Sequence, residues 1–198
     1  MVIAERFAWV HMPKTGGDAT YQMFAAVPGL IQFADPLDSN DKHATFWERE
    51  SEVAGKRLVM NIRRLPAWML SAAHHKAVVG VHPEFRPTPL APVDEMVEST
   101  DPDDMLRWLT DGDRFAVDRW LRTEHLQQDV VALLDDLGVL TDEVRGRVEA
   151  VSRVNEQSYE RDLKRRFSSA QLRRLYERNP GWAAAEERVY GGLLLDAG

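Results

Sequence analysis

Residues 7–26 read FAWVHMPKTGGDATYQMFAA and predict a strand, a glycine-containing loop and a helix, in that order. The segment 7–11 is short, apolar and rich in residues that favour strands. The segment 18–26 follows the glycines and has the composition of a helix. A loop that leaves a buried strand and enters a helix presents backbone N–H groups at the positive end of the helix dipole. This stretch therefore predicts a binding loop for a phosphate or sulfate group.

Three residues of this loop have the chemistry that an anion requires. Gly16 and Gly17 allow the backbone to approach the anion closely, and Lys14 supplies a mobile positive charge. Their order differs from that of the ATP- and GTP-binding loop, in which the lysine follows the glycines. The loop is therefore expected to bind phosphate or sulfate without belonging to that loop type.

Further segments extend the strand-and-helix pattern along the chain. Apolar runs at 30–33 and 57–62 predict strands, and the second leads into a helix predicted over 67–76. A strand over 115–121 and an amphipathic helix over 124–137 follow. Strand-to-helix units in series favour a parallel sheet with helices on its faces. The expected fold is α/β, with three layers and a central parallel sheet flanked by helices.

The last third of the chain is predicted to be helical. Ser168 and Gln171 have the spacing of a capping box, and Pro180 suits the first turn of a helix. A shorter helix is predicted earlier, over 101–109. The side chains of the last third that are expected to pack inward are Leu172, Leu175 and Tyr176.

The length of the chain bounds its organisation. Its 198 residues suffice for one substantial core, so a single domain over residues 1–198 is expected. The segment 78–92 contains four prolines and little periodicity, which predicts irregular structure. Because long irregular segments are often functional, the segment 78–112 is interpreted as a lid over an acceptor pocket.

Charge and composition disfavour several classes of protein. The formal net charge of -7 disfavours nucleic acid as a partner, because binding to phosphate backbones requires a surplus of lysine and arginine on one face. Cysteine is absent, so neither a disulfide framework nor a thiolate metal site is expected. No apolar run has the length of a membrane span, and residues 1–6 lack the pattern of a signal peptide. The cytoplasm is the expected location.

The glycine loop resembles the phosphosulfate loop of the PAPS-dependent sulfotransferases, which commonly reads PKTGGTS after the first strand. Here residues 13–20 read PKTGGDAT. The resemblance implies a P-loop-NTPase-like sulfotransferase fold, PAPS (3′-phosphoadenosine 5′-phosphosulfate) as the donor, PAP as the product and no metal. The departure is Asp18, which stands where the family has a phosphate-binding threonine. Its carboxylate either repels the 5′-phosphate, with Thr20 as a partial substitute, or turns away and orients the loop.

A second signature of the family binds the 3′-phosphate of the donor through an arginine and a serine eight residues later. Arg63 and Ser71 have this spacing, directly after the strand predicted over 57–62. An arginine and a hydroxyl at the start of a helix also suit a phosphate dianion on chemical grounds. The residues that the resemblance assigns to the donor are therefore Lys14, Thr15, Gly16, Gly17, Asp18, Ala19, Thr20, Arg63 and Ser71.

Weaker similarities to bacterial members of the family run over most of the chain. They include residues 117–126, Val154-Asn155 and the segment 180–191. Arg122 and Glu124 belong to the first of these and are interpreted as architectural.

Two catalytic roles follow from the chemistry of sulfuryl transfer. The reaction requires charge stabilisation on the leaving oxygen, which is assigned to Lys14. It also requires a base for the acceptor hydroxyl. His43 is the first choice, because it follows the strand predicted at 30–33, where the resemblance implies the base in several branches of the family. Glu48 and Glu50 are the carboxylate alternatives, and the pair His74-His75 is a less favoured one.

Three functional hypotheses remain open at this point. The first is a sulfotransferase acting on a hydroxyl of a small-molecule, carbohydrate or lipid acceptor. The second is a non-catalytic PAP-binding or nucleotide-binding protein of the same fold, a reading that Asp18 keeps open. The third, a small-molecule kinase, would require ligands for Mg²⁺ and a lysine-serine or lysine-threonine phosphate loop, and neither is evident in the sequence.

Overall fold

A computed structural model describes residues 1–79, 90–112, 114–152 and 162–195 of the chain. Two compact units can be distinguished, and each combines two separate segments. We call Met1–Ile62 with Arg107–Glu156 the sheet unit, and Arg63–Leu106 with Gln157–Gly198 the helical unit. The expectation of a single domain over residues 1–198 stays a prediction.

The sheet unit contains a five-stranded mixed sheet. Its strands are β1 (Val2–Ala4), β2 (Phe7–Val10), β3 (Ile31–Ala34), β4 (Arg57–Ile62) and β5 (Arg119–Arg122), arranged in the order β3-β1-β2-β4-β5. The pairs β2–β4 and β4–β5 are parallel, whereas β1 is antiparallel to both β2 and β3. The sheet is therefore mixed: the predicted parallel arrangement holds for β2, β4 and β5, whereas β1 departs from it. The cause is the short connection through Glu5 and Arg6, because neighbouring strands joined by so few residues pair antiparallel.

Ten α-helices lie within the described ranges. They are α1 (Gly17–Ala25), α2 (Glu50–Val53), α3 (Leu65–Val79), α4 (Val93–Ser99), α5 (Pro102–Thr110), α6 (Leu126–Asp136), α7 (Asp142–Glu149), α8 (Leu163–Arg166), α9 (Ser169–Arg178) and α10 (Pro180–Tyr190). Short 3-10 helices occur at Asn40–His43, Trp47–Arg49 and Thr123–His125. The chain thus has the mixed α/β character expected from its sequence.

The core of the sheet unit lies between the sheet and the helices α1, α6 and α7. Phe24 of α1 contacts two strand residues, with ring centroids 5.1 Å from Phe7 and 5.8 Å from Trp9. The face of α6 that the apolar periodicity predicts is buried in this core, and it comprises Leu126, Val130, Leu133 and Leu134, with Leu137 directly after the helix. Burial of these side chains orients β2 and α1, between which the glycine loop runs.

The bounds of β4 follow from local sequence, whereas the start of β5 depends on a contact outside the strand. β4 spans the six residues predicted from the apolar run 57–62. β5 begins at Arg119, four residues later than predicted, because the N–H of Phe115 donates to the carbonyl of Thr110 and closes the turn after α5. Asp118 then aligns the two strands, since its carboxylate accepts from the N–H of Leu58 at 2.7 Å.

A buried carboxylate organises the helical unit. Glu186 on α10 is fully buried and accepts hydrogen bonds from Arg64 Nη1 at 2.9 Å, the N–H of Leu65 at 2.8 Å and Tyr176 Oη at 2.7 Å. The Leu65 N–H is one of the donors that a helix N-terminus leaves without an intrahelical partner. Glu186 therefore fixes the start of α3, which begins two residues before the predicted helix over 67–76.

The helical prediction for the last third holds in its described part. Ser168 and Gln171 form a capping box at α9, and Pro180 is the first residue of α10. The side chains predicted to point inward, namely Leu172, Leu175 and Tyr176, are buried.

The predicted lid segment, 78–112, is described only in part. Residues 80–89 lie outside the described residues, so the irregular structure predicted there stays a prediction. Residues 90–112 contain α4 and α5, and α5 matches the helix predicted over 101–109 to within one residue at each end. Nowhere in the described ranges is there a helix of sufficient length and apolarity to cross a membrane.

We predict that Glu186→Gln lowers the free energy of unfolding by about 3 kcal/mol, because an amide donor would face either the Leu65 N–H or the Arg64 and Tyr176 donors. Urea denaturation at pH 7 measures this change. Glu187→Gln is the matched control, since Glu187 is the exposed neighbour on the same helix. Equal stability of the two variants would contradict the structural role of Glu186.

Candidate functional site

The loop between β2 and α1 has an unusual backbone conformation. Lys14 has a φ of 65° and Gly16 a φ of 82°, both in the left-handed region. For a lysine this conformation costs about 1–2 kcal/mol, so the surroundings must hold it in place. Part of that restraint comes from Thr15, which is fully buried and donates its hydroxyl to the carbonyl of Met12 at 2.7 Å. The loop is therefore shaped before any ligand binds.

A buried amide on β4 fastens the loop to the sheet. Asn61 Nδ2 donates to the carbonyl of Thr15 at 2.9 Å and to Thr20 Oγ1 at 2.7 Å. Its Oδ1 accepts from Trp9 Nε1 at 2.7 Å, which connects the amide to β2. Thr123 Oγ1 lies 2.8 Å from the same Thr15 carbonyl. Sequence reasoning missed Asn61, although a single polar residue in the apolar run LVMNI is the signal that marks it.

The start of α1 lies directly against the imidazole of His11. A Cβ added to Gly17 would lie 1.9 Å from His11 Cδ2 and 2.0 Å from its Nε2, distances that no side chain tolerates. His11 is itself buried, and its ring stacks on Trp9 with centroids 5.4 Å apart. Glycine is thus required at position 17 so that the His11 ring can lie against the backbone of α1. This requirement is separate from any approach of the backbone to a ligand.

Asp18, the residue that departs from the family pattern, lies in the first turn of α1. Its Oδ1 is 3.9 Å from Lys42 Nζ and 3.9 Å from His11 Nε2. About a quarter of the Asp18 side chain is exposed, as is about a quarter of the Lys42 side chain. The structure thus places a positive charge next to the one carboxylate in the loop.

His43 has the tautomer that a general base requires. Its Nδ1 lies 2.9 Å from the carbonyl oxygen of His11, and because a carbonyl can only accept, Nδ1 carries the proton. Nε2 then holds the free lone pair. Burial lowers the pKa of His43, and the nearby Lys42 lowers it further, against the opposing effect of the bond to His11. His43 is therefore neutral at pH 7.

His11 is held neutral even more strongly. Its pKa is lowered to about 3, first by burial and then by the positive charges of His43 and Lys42. The two imidazole rings lie 4.7 Å apart and tilted, so protonation of either disfavours protonation of the other. In the described part of the chain His11 Nδ1 is a buried atom with no hydrogen-bond partner.

The two carboxylate alternatives, Glu48 and Glu50, have local contacts. Glu48 accepts from the N–H of Thr45 at 2.7 Å and from its hydroxyl at 3.0 Å. Glu50 is paired with Arg114 at 2.5 Å on the surface. His74 and His75 lie on α3 and belong to the helical unit. Among these candidates, His43 has the most suitable local geometry for proton transfer.

The residues of the second signature lie in the helical unit. Arg63 is the first residue of that unit, and its carbonyl accepts from Trp182 Nε1 at 3.1 Å. Ser71 is buried on α3. Trp68, between them in sequence, packs on Trp182 with ring centroids 5.4 Å apart. The structure thus gives Trp68 a packing role in the helical unit.

Two residues of the motifs have structural contacts. Thr20 is fully buried, and its hydroxyl accepts from Asn61 and donates to the carbonyl of Gly16 at 3.1 Å, which favours a role in holding the loop. Arg122 binds Asp129 through Nη2 at 2.6 Å and Nε at 2.9 Å, in agreement with its interpretation as architectural. Within the described ranges no group of three or more histidine, cysteine, aspartate or glutamate side chains is arranged to hold a metal ion.

Comparisons of the chain with protein-family models, with curated proteins and with solved structures found no match. The assignment to the sulfotransferases therefore rests on the residues of the two motifs, and the site geometry described above is independent of it.

We predict that Gly17→Ala destabilises the protein by about 2 kcal/mol, because the new methyl group collides with the His11 ring. Gly146→Ala is the matched control, since Gly146 lies on α7 with no atom within 4 Å of an added Cβ. The control variant should be more stable than the wild type by up to about 1 kcal/mol, as expected for alanine in a helix. Chemical denaturation of both variants measures the difference, and similar effects would contradict the close approach.

We also predict that His11 makes the protein sensitive to acid. Below pH 6.5 the unfolded chain binds a proton on this imidazole, and the folded chain does not until the pH approaches 3, so stability falls as the pH falls through this window. The contribution to the slope is at most about 1.4 kcal/mol per pH unit. His11→Phe should remove it, whereas replacement of the exposed His125 by Phe should not. Urea denaturation between pH 7 and pH 4 checks this, and an unchanged slope for His11→Phe would refute it.

Proposed function

We propose that this protein is a PAPS-dependent sulfotransferase that transfers the sulfuryl group to a hydroxyl of a small-molecule, carbohydrate or lipid acceptor. The proposal includes the P-loop-NTPase-like sulfotransferase fold that the sequence resemblance implies. The observation that carries it is the loop between β2 and α1. That loop combines a lysine, two glycines and a helix N-terminus in a conformation fixed by Asn61.

The chemistry of an anion site supports this reading of the loop. The first N–H groups of α1 have no partners within the helix and lie at the positive end of its dipole. The left-handed conformation of Lys14 and Gly16 turns the backbone at the point where the strand ends. Consecutive N–H groups in such a turn make a concavity that suits phosphate and sulfate oxygens. Lys14 is assigned to the oxygen that leaves sulfur during the transfer.

The assigned roles give a balanced reaction. The acceptor oxygen forms a bond to sulfur while the bond from sulfur to the phosphate oxygen of the donor breaks, and PAP leaves with that electron pair. His43 Nε2 accepts the proton of the acceptor hydroxyl, because Nδ1 is already protonated and bonded to the His11 carbonyl. The lowered pKa of His43 keeps this nitrogen unprotonated at neutral pH.

The 3′-phosphate of the donor is assigned to Arg63 and Ser71 by the resemblance alone. The chemistry of the two residues agrees with it, since a guanidinium binds phosphate by paired hydrogen bonds and a serine hydroxyl adds a donor. Arg63 and Ser71 can each be substituted while the glycine loop is left unchanged, so their roles can be tested separately from that of the loop.

A second candidate function is a non-catalytic PAP-binding protein of the same fold. The observation that favours it is the Asp18 carboxylate in the first turn of α1, which can weaken the binding of a charged phosphosulfate. The two functions differ in turnover, since a binding protein would bind PAP with no transfer from PAPS to any hydroxyl compound.

Titration calorimetry with PAP tests the donor site. We predict that the wild type binds and that Arg63→Ala weakens binding by about 10- to 100-fold, as expected for the loss of a charged phosphate contact. Lys76→Met is the control for loss of one positive charge, since Lys76 is exposed near the end of α3. If the wild type fails to bind PAP, the sulfotransferase proposal is wrong.

Transfer assays with PAPS and a panel of hydroxyl acceptors test the catalytic roles. We predict that His43→Gln lowers kcat by about 10²- to 10⁴-fold while PAP affinity stays within a factor of about two to three, because a general base acts only in the transfer step. The acidic limb of the wild-type pH profile should lie below pH 6.5, since the pKa of His43 is lowered from that value. Full activity of the variant would exclude His43 as the base.

A further inference from the structure

The proposed reaction assigns no role to the ion pair formed by Asp18 and Lys42. Asp18 lies in the first turn of α1, where the backbone N–H groups attract negative charge. Its carboxylate therefore lies close to the position proposed for the phosphate. Lys42 belongs to the short 3-10 helix Asn40–His43, which we call the Asn40–His43 turn. Its Nζ lies 3.9 Å from Asp18 Oδ1. Two segments distant in sequence therefore meet at the loop through opposite charges.

Lys42 and His11 both lie 3.9 Å from Asp18 Oδ1, and of these two side chains Lys42 carries a positive charge. His11 Nε2 also lies 3.9 Å from Asp18 Oδ1, but burial keeps the His11 imidazole neutral. A neutral imidazole does not offset a carboxylate, so the compensating positive charge comes from the lysine. Loss of Lys42 would leave the Asp18 charge without this compensation beside a phosphate site.

The same turn carries the proposed base. His43 follows Lys42 directly, and its Nδ1 is held by the His11 carbonyl. The Asn40–His43 turn is thus attached to the loop region at two points, one through Lys42 and one through His43. An ion pair at Lys42 consequently helps to fix the position of His43.

From this geometry we propose that Asp18 is a positioning residue. Its carboxylate pairs with Lys42, which fixes the Asn40–His43 turn against the first turn of α1 and cancels the repulsion that Asp18 would exert on a bound phosphate. The pair thereby replaces the single hydroxyl residue that the family has at this position of the loop. This inference rests on the proposed function, since it concerns the binding of the same donor.

A double-mutant cycle on PAP binding tests the proposal. The four proteins are the wild type, Asp18→Asn, Lys42→Met and the double variant, each titrated with PAP by calorimetry at fixed salt. Lys42→Met should weaken PAP binding by at least about 10-fold when Asp18 is present, because the positive charge 3.9 Å from the carboxylate is then lost. In the Asp18→Asn background the same lysine substitution should cost at least about five times less affinity, since no negative charge remains there.

Two further variants separate positioning from general folding effects. Lys42→Arg keeps the positive charge and should restore at least about half of the affinity that Lys42→Met loses. Lys76→Met removes an exposed positive charge from the helical unit and should leave the affinity unchanged. Thermal unfolding of each variant identifies any that do not fold, and Lys42→Gln replaces Lys42→Met in the cycle if that variant is one of them.

The outcomes of the cycle are distinct. Equal losses on removing Lys42 from the wild type and from the Asp18→Asn variant would overturn this inference and leave the proposed function intact. Failure of the wild type to bind PAP would overturn both. A larger loss when the Asp18 carboxylate is present, with rescue by arginine, would establish Asp18 and Lys42 as a coupled pair at the donor loop.

Discussion

The hydrogen bonds of one buried amide hold the glycine loop in the shape on which the candidate site depends. Asn61 contacts the Thr15 carbonyl, the Thr20 hydroxyl and Trp9 Nε1, so a single side chain joins two parallel strands to the loop and to α1. A buried amide that lacked these partners would cost about 1–3 kcal/mol, which makes the arrangement of the loop and the sheet mutually dependent. Lys14, whose φ of 65° is strained for a lysine, directly precedes the Thr15 that Asn61 holds.

The electrostatic potential around the loop depends on which side chains are buried as well as on which are charged. His11 and His43 lie within one small region together with Lys42, and burial lowers the pKa of both imidazoles. Their neutrality leaves the lysines and the helix dipole as the sources of positive potential there. A formal net charge of -7 for the whole chain is therefore compatible with a positive potential at this loop.

The sequence was sufficient where structure depends on neighbouring residues. The apolar run of β4, the capping box at Ser168 and the helix start at Pro180 follow from local pattern and agree with the structure. It was insufficient where contacts between distant segments decide. The short connection to β2 accounts for the antiparallel direction of β1, but β1 is only three residues long and also pairs with β3, a strand almost thirty residues away in sequence. The roles of Asn61 and Glu186 likewise arise from partners that no spacing in the sequence reveals.

The candidate site shows the same division at the level of single side chains. The motif predicts which residues face an anion, because glycine, lysine and a helix start are local features of the chain. It cannot predict the protonation state of His43, which depends on a carbonyl 32 residues away in sequence and on burial by the fold. The sequence and the resemblance place His43 ahead of Glu48, but the contacts that occupy Glu48 at Thr45 are seen only in the structure. The tautomer of a proposed base and the contacts of its competitors are tertiary properties, so this part of the argument for His43 depends on the fold.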